Sequence, residues 1–145
     1  MKIFFDTSAF LSIVFDEPAS VQAKEILESS KSRYGSFLLR IETIQSINRN
    51  FSNIENKRIQ MLNYALELLS EFELFSWDIK CDTEIRGNQF LYPLKSLDAI
   101  QLSSFLILRK EHGLKDLKLV SFDERMLKTA KSLNVPFINP TLQKK

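Results

Sequence analysis

The sequence predicts an α/β fold, a mostly parallel sheet with helices on both of its faces. Two apolar runs and the spacing around them carry that reading. Ile3-Phe4-Phe5 stops abruptly at Asp6, and the stretch from Leu117 to Phe122 stops at Asp123. The first is a continuous apolar run, the mark of a strand buried on both faces, and the second is a strong strand candidate. Elsewhere apolar residues recur at helical spacing, so strands and helices alternate along the chain.

After the first strand, Asp6-Thr7-Ser8 supplies capping oxygens and Phe10, Leu11 and Val14 continue as a helix, with the capping role falling to Thr7 or Ser8. Asp16-Glu17-Pro18 is a break, from which a second helix runs to about Ser30 with Val21, Ile26 and Leu27 inward. Tyr34 to Leu39 reads as the second strand. Ile41, Ile44, Ile47 and Phe51 mark a third helix, whose polar face carries Glu42, Gln45 and Arg49. Glu55 to Phe72 is the longest periodic stretch. Two adjoining apolar stripes, one from Ile59 to Leu69 and one from Met61 to Phe72, leave it only a narrow polar edge. Such a helix packs on two sides or against another subunit.

Glu73 to Ile79 follows as a strand, Cys81 to Phe90 as a short helix fraying at Gly87-Asn88, and Tyr92 to Ser96 as a loop. The segment from Leu97 to Leu108 is apolar almost all round and is expected to be the central buried helix, ended by Gly113 as a left-handed cap. Asp98 lies in its first turn, with Gln101 three residues on and on the same face. After Asp123, Met126, Leu127, Ala130 and Leu133 form an amphipathic helix, and Val135 to Ile138 a last short strand stopped by Asn139-Pro140. Residues 1–140 read as a single domain. Residues 141–145 are a basic tail, of which Lys144 and Lys145 are expected to be disordered.

Composition narrows the function. A chain of 145 residues suits one domain with a sizeable core, and twelve Phe against one Trp and three Tyr predict that phenyl rings fill it. A formal charge of +2 is too small to imply nucleic-acid binding by itself, so any such function must come from local arrangement. One Cys and one His exclude an internal disulfide and a four-ligand Cys/His zinc site, and fit a reducing, cytoplasmic setting. No apolar run approaches the ~20 residues of a membrane span, and Asp6 cuts short the N-terminal run, so neither a membrane segment nor a signal peptide is expected.

Four acids share one local setting. Asp6, Glu42, Asp98 and Asp123 each lie at a strand-to-helix junction or near the start of a helix. Taken singly, each is explained by capping and by the helix dipole. Taken together, they would converge on the carboxyl edge of a parallel sheet, where ligands bind. Uncompensated, they would repel one another and raise each other's pKa values. A hard divalent cation such as Mg²⁺ or Mn²⁺ removes that penalty, and a site of this kind suits hydrolysis of a phosphodiester. Arg40, Arg86, Lys95 and Arg125 flank these junctions as candidate contacts for RNA phosphates, with solvated surface charge as the competing explanation. His112 and Cys81 read as structural.

These residues carry a resemblance. Asp6-Thr7-Ser8 after an apolar strand, Arg40-Ile41-Glu42, Leu97-Asp98-Ala99-Ile100 and Ser121-Phe122-Asp123 occur in the order found in the PIN domain family. The chain resembles in particular the single-domain VapC-type toxins of toxin–antitoxin pairs. That resemblance implies a three-layer α/β/α sandwich and a Mg²⁺- or Mn²⁺-dependent endoribonuclease. It implies that Asp6, Glu42, Asp98 and Asp123 form the catalytic set, with Asp6, Asp98 and Asp123 as metal ligands supported by hydrogen bonds from Ser8 and Ser121. It also implies a homodimer and an antitoxin partner that blocks the groove. Two positions depart from the family. Gln101 stands where relatives often have His, keeping a hydrogen-bonding group toward Asp98 without titrating. Glu124 adds a fifth carboxylate where relatives often carry a basic residue.

Other classes of α/β protein fit less well. A haloacid-dehalogenase-type phosphatase needs a second Asp where Ser8 stands, and a receiver domain needs a Lys after a late strand that here ends in Asp123. Two alternatives stay open: a PIN-like binding module without catalysis, and a PIN nuclease of RNA processing outside any toxin–antitoxin pair.

Overall fold

The structure, a computed structural model, describes residues 1–76, 78–88 and 91–142. Its elements are β1 (Lys2–Phe5), α1 (Thr7–Val14), α2 (Ser20–Ser29), β2 (Ser32–Ser36), α3 (Phe37–Asn50), α4 (Glu55–Leu69), β3 (Glu73–Phe75), α5 (Ile79–Gly87), α6 (Ser96–Glu111), β4 (Lys118–Val120), α7 (Glu124–Ser132) and β5 (Phe137–Ile138), followed by a 3-10 turn at Pro140–Leu142. The five strands form one sheet in the order β3-β2-β1-β4-β5, and every pairing is parallel.

The central strand shows why helices must cover both faces. Successive residues of a strand point to opposite sides, yet Ile3, Phe4 and Phe5 are all fully buried. Ile3 and Phe5 pack into one cluster with Phe10 and Ile13 of α1, Ile26 of α2 and Ile47 of α3. Phe4 packs into another with Leu102 and Phe105 of α6 and Met126 of α7. These are the two outer layers of a three-layer α/β/α sandwich. Phenyl rings fill both interfaces. Phe5 and Phe10 meet Phe72 edge-on at 5.8 and 5.5 Å, and Phe4 meets Phe105 at 5.6 Å. Such pairs add about 0.5–1.5 kcal/mol each beyond the area they bury.

Several boundaries differ from the sequence expectation, each for a local reason. The second strand stops at Ser36 rather than Leu39, because the Ser36 hydroxyl accepts from the Leu38 amide at 3.2 Å and caps α3 there. Leu38 and Leu39 are therefore the first inward turn of a helix, and the buried positions continue as Thr43, Ser46 and Ile47 while Ile41 is exposed. The third strand ends at Phe75, not Ile79. Asp78 accepts from the Lys80 amide at 2.8 Å and starts α5 at Ile79, ahead of Cys81. The expected end of that helix at Gln89 and Phe90 lies outside the described residues, as does the tail from Gln143 to Lys145. Val21, expected inward, is exposed.

The helix expected to be buried is so: from Ala99 to Leu108 every residue but Ile100 is buried. It ends at His112, after which Gly113 takes φ +70°, a left-handed geometry that glycine adopts without a steric cost. By contrast α4 buries only Ala65 and Leu69, and its wide apolar face leaves Ile59 and Tyr64 exposed beside Ile54. Among the described residues no helix is long and apolar enough to cross a membrane.

Candidate active site

From β1 the chain moves to β2 and β3 on one side and later to β4 and β5 on the other. The crevice beyond the carboxyl ends of β1 and β4 is therefore the switch point of the sheet, the usual place for a ligand in an open parallel fold. Asp6 follows β1 directly, and Ser121-Phe122-Asp123 follows β4. The Asp6 amide donates to the Val120 carbonyl at 3.1 Å, so the sheet ladder itself fixes the residue.

The Asp6 side chain is held on every side. One carboxylate oxygen accepts from the Ser8 hydroxyl at 2.7 Å and the Ala9 amide at 3.1 Å; the other accepts from the Ser121 hydroxyl. Asp6 is thus itself the N-cap of α1, and the expectation that Thr7 or Ser8 takes that role is corrected. A side chain at the cap position, just before the first helical residue, is the one that reaches the free amides of the first turn. The two serines stitch the strand ends together. Their hydroxyls lie 3.5 Å apart, Phe122 donates its amide to Ser8 at 3.0 Å, and Asp123 donates its amide to Ser121 at 2.9 Å. Burial pushes the Asp6 carboxyl up to about 6, with the three hydrogen bonds pulling against it and nearby Asp123 adding to the rise.

Glu42, in the second turn of α3, rests on a separate scaffold. Its Oε1 accepts from the Thr7 hydroxyl at 2.7 Å and from the Gln101 amide group. Gln101 also donates to the Thr7 hydroxyl at 2.8 Å and accepts from the Thr7 amide at 3.3 Å. These bonds use both N–H donors of the buried Gln101 side chain and give its carbonyl oxygen a partner. They also correct its expected orientation: it faces Glu42 and Thr7 rather than Asp98. Thr7 is a site residue that the sequence reading missed, since only its place after Asp6 singles it out.

Asp98, in the first turn of α6, is half-buried. Burial raises its pKa most, then the charges of Asp123 and Glu42, while Lys95 and Arg125 oppose the rise. Asp123 caps α7, accepting from the Met126 amide at 3.0 Å. Between them opens a cleft of about 440 Å³ lined by Lys95, Asp98, Asp123, Glu124 and Arg125. Arg40 is half-buried on α3 and Arg86 pairs with Asp82 at 2.9 Å on α5; neither lines this cleft. His112 closes α6 with its ring edge-on to Phe75, and Cys81 is buried beside Ser104, so both are structural.

The crevice thus links the four acids: Asp123 acts on both Asp6 and Asp98, and Glu42 acts on Asp98. Among the described residues, no three His, Cys, Asp or Glu side chains are gathered so as to hold an ion as they stand. Both Asp6 oxygens and one Asp123 oxygen are turned to protein donors instead. The donor set nevertheless fits a hard divalent cation, being all carboxylate, with neighbouring acids adding to the raised pKa of Asp6 and of Asp98.

The profile of the PIN domain family matches residues 3–132, and the chain belongs to that family. Ribonuclease VapC46 of Mycobacterium tuberculosis is 27% identical over 139 residues, which make up 96% of this chain and 98% of that protein. Three solved structures share the fold. VapBC-1 of nontypeable Haemophilus influenzae has a TM-score of 0.66 at 13% identity, covering 97% of this chain and 99% of its own. VapBC2 of Rickettsia felis, bound to a DNA fragment from its promoter, has a TM-score of 0.66 at 16% identity, covering 96% and 98%. A toxin–antitoxin complex from Klebsiella pneumoniae has a TM-score of 0.61 at 18% identity, covering 96% and 98%.

Proposed function

We propose that the chain is an endoribonuclease dependent on Mg²⁺ or Mn²⁺, and the toxin of a type II toxin–antitoxin pair. The observation that carries this reading is the meeting of four carboxylates at the switch point of a parallel sheet, where Asp123 adds to the rise at buried Asp6, and Asp123 and Glu42 add to the rise at Asp98. The likeness along its whole length to a protein named as a ribonuclease supports the activity, and the toxin–antitoxin complexes that share its fold support the partner.

Asp6, Asp98 and Asp123 would hold the metal, with Glu42 completing the catalytic set. When bound, the metal would supply an acidified water and neutralise charge on the phosphoryl oxygens. The chain's own residues do the remaining work. Ser8, Ser121 and the Ala9 amide hold the Asp6 carboxylate in one orientation. Thr7 and Gln101 hold Glu42 by one oxygen, which leaves its other oxygen to accept a proton or orient a water. Lys95 and Arg125 offset the charge of an approaching phosphate at the rim of the cleft. Arg40 and Arg86 serve a more distant part of the RNA. The exposed apolar residues of α3 and α4, among them Ile41, Ile59 and Tyr64, are the surface for a second copy or an antitoxin helix. The setting is the cytoplasm, where RNA is available.

The test is cleavage of RNA by the purified chain with Mg²⁺, with an EDTA control. Metal-dependent cutting abolished by Asp6→Asn and by Asp98→Asn is expected. Unchanged cutting in both variants would overturn the site, and a protein with no metal-dependent cutting would overturn the activity.

A further inference from the structure

We propose that Tyr92 is a stacking platform for an unpaired base of the RNA, seating it beside an apolar hollow next to the acidic cleft. This rests on the reading of the chain as an endoribonuclease and names a subsite that sets its preference for single strands.

Tyr92 stands out by exposure. It lies on the loop between α5 and α6 and is 86% exposed, the highest value of any large hydrophobic side chain among the described residues. Pro93 follows it and narrows the conformations open to its backbone. The Leu94 amide donates to the Leu91 carbonyl at 3.1 Å to close a turn around it, so little backbone ordering is left to lose when a ligand lands.

Its surroundings give the exposed ring a use. On one side Tyr92 borders a hollow of about 380 Å³, whose walls include the apolar Ile85, Leu91, Leu94 and Ile100. On the other it borders a depression of about 240 Å³ that includes Arg125 and Lys128 of α7. Arg125 in turn lines the cleft that holds Asp98 and Asp123. Shared walls therefore make a continuous track from the hollow, past the Tyr92 ring, to the acids.

The track alternates an aromatic with cations. Lys95, Arg125 and Lys128 are all exposed, and among the described residues none of them is taken up in an ion pair. Cations that follow a backbone of phosphates, with an aromatic face on which a base stacks, are the elements by which proteins hold single strands. A duplex keeps its base faces covered by stacking and offers Tyr92 nothing but its backbone. The charge of the track selects a polyanion over an apolar protein helix.

Binding in EDTA separates this subsite from the chemistry. A fluorescently labelled single-stranded RNA of mixed sequence is titrated with the full chain and followed by anisotropy, with the same RNA annealed to its complement as a second probe. Tyr92→Ala should weaken single-strand binding about tenfold, from the usual worth of one stacked base. Tyr92→Phe should keep the affinity, and the duplex should bind less well and show no dependence on Tyr92. Lys128→Ala should lower the slope of affinity against salt by roughly one. Thermal melting guards against misfolding, which an exposed side chain gives no reason to expect.

Equal single-strand affinity in wild type and Tyr92→Ala overturns the inference, as does a duplex that competes as well as the single strand. Loss of a co-encoded partner protein in Tyr92→Ala with RNA binding intact also overturns it and assigns the ring to a protein contact. A chain that binds single strands through Tyr92 but cuts no RNA in Mg²⁺ upholds the subsite and overturns the nuclease reading. One that cuts RNA with no dependence on Tyr92 does the reverse.

Discussion

Asp6 and Glu42 stand on scaffolds of hydroxyl and amide donors, whereas Asp98 and Asp123 face a cleft edged by Lys95, Glu124 and Arg125. On the first side each carboxylate is oriented by side chains from distant parts of the sequence. On the second, orientation comes from helix starts, where Asp123 accepts from the Met126 amide, and Lys95 and Arg125 offset the charge around Asp98. The difference teaches a division of labour. The closed side sets geometry and buries Asp6, and the open side leaves Asp98 half-buried at a cleft open to solvent.

That division can be broken from either side. The largest effect is expected from Asp98→Asn on the open side. It should lower RNA cleavage in Mg²⁺ by more than the roughly 10–100-fold typical of losing a group that only supports a metal ligand, with little change in melting. Asp6→Asn should also stop cleavage yet stabilise the fold. Asp6 has a folded pKa of about 6 against an ordinary 3.8. Its contribution is therefore most favourable below pH 3.8, where both states are protonated, and is lost as pH rises through 6. The lost stability is about 3 kcal/mol for a shift of this size. In EDTA at pH 8 the Asn variant should resist urea better than wild type, and the gap should close between pH 6 and 4. A gap that widens on acidification would contradict the burial assigned to Asp6.

Ser121→Ala should come next, with cleavage down about 10–100-fold. It strips a donor from buried Asp6 and should cost about 1–3 kcal/mol of stability by urea titration. Gln101→Ala releases Glu42 from one donor while Thr7 still holds it, so a loss near the low end of that same roughly 10–100-fold range is expected in kcat. The smallest effect belongs to Glu124→Gln. Glu124 lines the cleft but is absent from the charges that shift Asp98, and removing it should leave cleavage unchanged or raise it by reducing repulsion of RNA.

Much of this was legible in the sequence, for reasons that can be named. Asp6 and Asp123 end apolar runs, and Asp98 is the only acid in an otherwise apolar helix start, so local pattern alone marks them. Glu42 was legible through the motif around it, because on its own it looks like any acid on a polar helix face. The bonds that orient these acids were not legible. Thr7 meets Glu42 across 35 positions and Gln101 across 94, and no local period reports which helices the sheet brings together. The misplaced end of β2 has the same origin at shorter range: Leu38 and Leu39 have strand-like character, and the Ser36 cap decides otherwise. The two apolar stripes expected on α4 pack largely into one cluster, through Met61, Leu62, Leu66 and Leu68, and the fold leaves Ile59 exposed.

The bond from Ser121 to Asp6 spans 115 positions of the chain, and this has a bearing on the order of events during synthesis. A ribosome makes the wall that carries Asp6 first and the wall that carries Asp123 last. At about 5–20 residues per second, roughly 6–23 s separate the two. Until the later segment emerges and β4 docks on β1, the crevice lacks its second side and Asp6 lacks its partner. A growing chain surrounded by messenger and ribosomal RNA therefore carries no assembled nuclease, and the fold withholds activity until most of the protein has left the machinery that made it.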